Sequence, residues 1–276
     1  MGRFRTWDLA SGEPVVDILL PTIDRYARIH WLGQDYILID SLGLLLVDVT
    51  RKIVLWEYLR SRSNDKDVVA AWQGSFWSVG TDSARRNAVL LPVRLPDEEA
   101  SKVAEQLDPE STMIVRPGVA VSVDLKIPAD AAKLAEIRSS LVQRLTANGL
   151  KVTDGQPLLL TATTGPGESH SVTYHGGLGG GQATVSVADQ VATLRFVHQN
   201  QTVWKAEKVS GAPYFLTLEA GESIQQVVTE KTKPDLAFFT TVRIPTHLAK
   251  PLGEKQRAYG RSVLRDDGVI QRLPAS

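Results

Sequence analysis

The stretch that decides the fold is Gly43-Leu44-Leu45-Leu46-Val47-Asp48-Val49-Thr50-Arg51-Lys52-Ile53-Val54-Leu55-Trp56-Glu57-Tyr58. Two aliphatic runs flank the polar segment Val49–Lys52, and this reads as strand, turn and strand of one antiparallel sheet. Working outward, Trp31-Leu32-Gly33 returns as Trp72-Gln73-Gly74, an offset of 41 residues. Each is followed by an aromatic-bearing strand, Asp35–Asp40 in one copy and Ser75–Gly80 in the other. Asp8 and Asp48 are 40 residues apart in matching contexts, so two markers give one period.

That period, with its order of strand, Asp-x-x-Ser/Thr turn and strand, resembles the blades of WD40-like or quinoprotein-like β-propellers over about residues 4–95. The second copy departs from the pattern. It has Ser83-Ala84-Arg85-Arg86-Asn87 where the Asp turn belongs, and the Gly-His pair of many WD40 repeats is missing. The resemblance implies that Trp7 and Trp56 wedge between blades, with Trp31, Trp72 and Trp77 in the same kind of packing. About two blades cannot close a ring that needs roughly four or more. The expectation is therefore the C-terminal part of a larger propeller protein, with a small sheet that borrows the blade pattern as the alternative. An unclosed sheet leaves strand edges open to self-association.

Beyond Leu95-Pro96 the pattern changes. Residues 96–117 read as a helical linker, residues 118–249 as an α+β domain, and residues 250–276 as a polar tail with a hairpin around Asp267-Gly268. In the α+β part, Val119–Lys126 alternates as a strand. Pro128-Ala129-Asp130 caps a helix whose stripe is Leu134, Ile137, Leu141 and Leu145, closed by Asn148-Gly149. Strands follow at Pro157–Thr163, Ser171–His175, Ala183–Val187, Ala192–Val197 and Val203–Val209, with a turn at His198–Thr202. A second helix begins after Gly221-Glu222-Ser223 and carries Ile224, Val227 and Val228. Leu236–Ile244 reads as a last strand. The fold class is α+β overall: blade-like all-β sheets, then two helices covering one face of a mostly antiparallel sheet. This element order is similar to that of domains in several small cell-envelope assembly lipoproteins.

Composition narrows the function. Lys plus Arg and Asp plus Glu are both 31, so the formal charge is zero and no global field favours nucleic acid. The absence of Cys excludes disulfides, thiolate catalysis and Cys-based metal sites. The longest apolar stretches, Tyr36–Asp40 and Gly43–Val47, are far short of the roughly 20 residues of a membrane-spanning helix, and the N-terminus lacks the apolar core of a secretory signal. The compartment stays open.

No set of catalytic residues converges in the sequence, and neither a phosphate-binding loop nor a G-x-S-x-G or H-E-x-x-H motif occurs. The conspicuous local feature is the glycine-rich segment 165–182, read as a hairpin tip between strands. As a binding loop it would use Glu168, His170, His175, Gly177, Gly179 and Gly180. His170 and His175 are five apart in an extended segment and point to opposite faces, which argues against one metal between them. The sequence thus points to a non-catalytic scaffold or protein-interaction module with a protein or peptide partner. It needs no cofactor or metal. The alternatives are a glycan- or peptide-binding domain using 165–182, and part of a hydrolase whose site is not visible in the chain.

Overall fold

The structure is a computed structural model that describes residues 2–21, 23–24, 26–41, 43–60, 69–72, 75–81, 88–175, 181–219, 221–253, 256–265 and 270–273. Nine strands come first: β1 (Gly2–Trp7), β2 (Pro14–Leu20), β3 (Arg28–Leu32), β4 (Tyr36–Asp40), β5 (Leu44–Asp48), β6 (Ile53–Arg60), β7 (Val69–Trp72), β8 (Ser75–Thr81) and β9 (Ala88–Val93). Helices α1 (Glu98–Gln106) and α2 (Pro109–Thr112) and strand β10 (Met113–Val115) follow. Next are β11 (Ala120–Lys126), α3 (Ala131–Ala147), β12 (Lys151–Val152), β13 (Leu158–His175), β14 (Gln182–His198) and β15 (Gln201–Ser210). Helices α4 (Ile224–Lys231) and α5 (Phe238–Thr241) precede β16 (Leu248–Ala249), β17 (Gly260–Leu264) and β18 (Ile270–Arg272). The chain is mostly sheet with a few helices, an α+β class, and no closed propeller is present among the described residues.

Two compact units divide the chain: unit 1 is Met1–Val115 with His247–Ser276, and unit 2 is Arg116–Thr246. The centre of unit 1 is a sheet of order β18-β17-β6-β5-β4-β3, in which β3 to β6 form an antiparallel meander. Every residue of β5 is buried because the sheet is covered on both faces. Ile37, Ile39, Leu45 and Val47 pack with Phe4, Val16, Ile18 and Leu20 of the β1–β2 hairpin. Leu38, Leu44 and Leu46 point the other way, into a cluster with Tyr58, Phe76, Val93 and the small faces Ala100 and Ala104 of α1. Residues 96–117, read from the sequence as a helical linker, thus include a helix whose buried residues belong to this core.

The alternation of β6 is broken where Leu46 pairs with Trp56 and Val47 with Val54. The extra residue, Leu55, is a bulge that turns Ile53, Leu55, Trp56 and Tyr58 into one cluster. Trp56, expected between blades, is 2% exposed within this core, and its indole N–H donates to Ser262 Oγ at 3.0 Å. Trp7 and Trp31, expected in inter-blade packing, are half exposed, Trp31 meeting Phe4 edge-on. The side chain of Trp72 lies outside the described residues, and Trp77 is partly buried in the three-stranded sheet of β7, β8 and β9.

The C-terminal segment, read as a polar tail, supplies two strands to unit 1. β17 pairs parallel with β6 from Gly260↔Trp56 to Leu264↔Arg60, and β18 pairs antiparallel with β17; the hairpin expected around Asp267-Gly268 lies outside the described residues. A Cβ at Gly260 would overlap the six-membered ring of Trp56, so glycine is what lets β17 come this close. His247, just before β16, receives a hydrogen bond from Lys52 Nζ, 3.0 Å from Nε2.

In unit 2 the sheet order is β12-β11-β13-β14-β15. β11 runs parallel to both neighbours, with α3 as the crossover to β12, while β13, β14 and β15 are antiparallel. Asp130 caps α3 by accepting from Lys133 N–H, and Ile137, Leu141 and Leu145 are fully buried as the stripe requires. Gln199 and Asn200 both have positive φ, the signature of a tight two-residue turn joining β14 to β15. The segment Leu236–Ile244 is not a strand. Asp235 Oδ1 accepts from Ala237 N–H and starts the turns that become α5, with Phe239 fully buried. Val228 of α4 packs on Val185 and Val187, which alternate out of phase with the buried row Ala192, Leu194 and Phe196 of the same strand.

Two expectations follow for unit 1. Gly260→Ala should cost about 2–4 kcal/mol of stability in urea unfolding, because the methyl forces Trp56 or β17 to move. Burial, and then the Lys52 ammonium, push the His247 pKa from 6.5 down to about 4, against a weaker upward pull from Asp17. The unfolded chain therefore takes up this proton before the folded one does, and stability drains as pH falls from 6.5 toward 4. Thermal melts across that window should show the wild type losing stability relative to His247→Gln; a pH-independent difference would contradict the assignment.

Candidate functional site

β13 and β14 are long, 18 and 17 residues, and they outrun their neighbours. The pairing of β11 with β13 ends at Lys126↔Thr163, and that of β15 with β14 at Ser210↔Gln190. Beyond these points the two strands continue as a ribbon as far as His175↔Gln182, some ten residues or roughly 30 Å. The sequence suggests a loop starting at Gly165, but the strand runs through Gly165-Pro166-Gly167 by means of a bulge. Gly167 and Glu168 together oppose Asp189. A Cβ on Gly167 would lie 2.9 Å from Val191 and 3.2 Å from Asp189, so the bulge depends on glycine.

A two-stranded ribbon is marginal by itself and needs cover. Here the cover comes from α4 and from the irregular segment before it. Val228 is fully buried against Val185 and Val187, with Tyr174, Ala212, Leu216 and Ile224 around them. Ser223 and Gln226 form a capping box that fixes where α4 begins. Gln225 Nε2 donates to Ser186 O at 3.1 Å, and the Tyr174 hydroxyl donates to Pro213 O at 2.8 Å. The segment after β15 is thus tied to the ribbon at Pro213 and Leu216.

Between those ties, Tyr214 and Phe215 face outward, 95% and 90% exposed, with Leu218 at 42%. They border a cleft of about 370 Å³ with Tyr174, His175 and Ile224. Among the described residues that line it, none is Asp, Glu, Lys or Arg. A surface of this kind suits a neutral, apolar or aromatic group that buries area and finds hydrogen bonds at the Tyr and His tips.

Of the residues singled out in the sequence, His175 lines this cleft. His170 and Glu168 do not. Glu168 sits on the bulge, and His170 Nδ1 stands 3.7 Å from Asp189 Oδ1, too far for a hydrogen bond. Because the ladder is regular from Ser169 to His175, the two histidines project from opposite sides of β13. Gly177, Gly179 and Gly180 lie outside the described residues. Among the described residues no group of three His, Asp or Glu side chains gathers as a metal site. The sequence reading missed Tyr214, Phe215 and Leu218, although Pro213-Tyr214-Phe215-Leu216 is a dense apolar cluster in a segment with neither helical nor strand period.

No family model matches the chain, and no curated protein matches it either. Among solved structures, a minor lipoprotein from Acinetobacter baumannii is similar at 18% identity and a TM-score of 0.18, over 32% of this chain and 67% of that one. A protein described as a neuraminyllactose-binding hemagglutinin homolog from Helicobacter pylori is similar at 12% identity and a TM-score of 0.21, over 34% and 65%. This chain thus spans about two thirds of the length of each, and in this chain both likenesses are confined to about a third. No family is shown for the chain, and the functional reading rests on the cleft alone.

Proposed function

We propose that the protein is a non-catalytic recognition module that binds an apolar or aromatic segment of a protein or peptide in the cleft at the distal end of the β13–β14 ribbon. The observation that carries this reading is the outward placement of Tyr214 and Phe215 in a segment anchored on both sides of them. Exposed aromatic pairs of this kind cost solubility, and they are the side chains that dominate recognition energies when a partner buries them. The uncharged lining favours a neutral occupant over a phosphate or nucleic acid.

The test uses a phage-displayed heptapeptide library selected on the whole chain, with a Tyr214→Ser, Phe215→Ser double variant as the comparison. Selected peptides should carry an aromatic or branched aliphatic residue and should lose at least about tenfold in affinity on the double variant, the loss of roughly 1.4 kcal/mol or more expected of an interface anchor. Circular dichroism should show the double variant folded like the wild type, since both side chains are exposed. Peptides that bind wild type and variant equally would remove the cleft from the reading. Binding of neutral glycans in place of peptides, lost in the same variant, would convert it to glycan recognition.

A further inference from the structure

We infer that the partner segment binds as an extended strand added to the open edge of β13 from Ser169 to His175; this rests on the cleft reading above and names how the occupant is held. Thr173, Tyr174 and His175 are consecutive residues of β13, and all three line the cleft. Neighbouring residues of a strand point to opposite faces, so a cleft that touches three in a row reaches round the margin of the strand. The other margin of β13 is taken by β14, and no described residue of β14 lines the cleft.

The margin turned away from β14 carries unpaired backbone. β11 leaves β13 at Lys126↔Thr163, and among the described residues no other strand takes its place farther along. In an antiparallel pair, alternate residues exchange their bonds with the partner strand and those between turn N–H and C=O outward. β13 pairs with β14 without a break from Ser169 to His175, so every second residue of this stretch offers both groups to a newcomer. The proximal limit is built in, since Pro166 has no N–H and the bulge at Gly167 and Glu168 ends the straight edge. Natural edges are defended by bulges, prolines and charges. Ser169–His175 has no Pro, Asp, Glu, Lys or Arg. On the β14 side, by contrast, α4 lies close and Gln225 Nε2 donates to Ser186 O at 3.1 Å.

The occupant this edge fits is a neutral extended peptide. Its backbone takes up the outward groups of β13, and its alternate side chains stand on the cleft side, beside Tyr214 and Phe215. The uncharged edge and the uncharged cleft lining select for the same partner, one with apolar or aromatic residues at every second position. A helix would fill the cleft and leave the edge unpaired, because its backbone bonds are internal.

The tightest heptapeptide from the selection above is resynthesised with one backbone N-methyl at each position in turn, and its affinity for the full chain is measured by calorimetry. Losses of at least about tenfold at alternate positions, with less than about threefold between them, are expected of an added strand. Amide hydrogen exchange of the full chain, followed by NMR with and without the unmodified peptide, should show new protection at every second residue from Ser169 to His175. A peptide that needs Tyr214 and Phe215 but brings no alternating protection overturns the inference and leaves the cleft reading standing. Selection of no peptide removes both. Protection of the same amides that rises with protein concentration in the absence of peptide assigns the edge to a second copy of the chain and likewise overturns the inference.

Discussion

The parallel pairing of β6 with β17 is the contact on which unit 1 depends. It joins residues about 200 positions apart, and it forms only because Gly260 leaves room for the Trp56 ring whose N–H is taken by Ser262. Trp56 is also the residue that the bulge at Leu55 rotates into the main cluster. One indole thus connects a local irregularity of β6, the core beneath the sheet and the C-terminal strand. Around it, β4 and β5 are buried on both faces by the β1–β2 hairpin and by α1 with β8 and β9, and unit 1 is better described as layers than as a fan of blades.

The parts of this structure that were legible are those whose cause is local. The aliphatic runs flanking Val49–Lys52 read directly as β5 and β6, and the stripe and caps of α3 needed only neighbours within a few residues. The turn at Gln199-Asn200 was found for the same reason. What could not be read has a distant cause. Nothing near Gly260 indicates a parallel partner in β6, and a strand that passes through Gly165-Pro166-Gly167 looks like a loop until Asp189 is opposite the bulge. At the candidate site, His175 was identified because it borders the glycines. Tyr214 and Phe215 carry no such sequence signal, because their importance lies in exposure, which has no period. The misread strand at Leu236–Ile244 is a case where apolar content outweighed the Asp235 turn signal.

The ribbon and the cleft follow from one compromise in unit 2. Strands that outrun their sheet have to be supported, and α4 with the preceding segment does this through Val228, Tyr174 and Gln225. The same support fixes the backbone on either side of Tyr214 and Phe215, so the aromatics are presented by a braced segment and not by a free loop. Binding through such a surface loses less ordering entropy than binding through a disordered one.

Val115 and Leu248 are register partners in the β10–β16 pair, so the chain leaves unit 1 and returns to it at adjacent points, with all of unit 2 in between. During synthesis, then, β6 emerges from the ribosome long before the strand that completes it. The roughly 130 residues of unit 2 take about 6–26 s to make at roughly 5–20 residues per second. Unit 2 has its whole sequence available first, and over that interval the edge of β6 beside Trp56 stays open to the surroundings of the nascent chain.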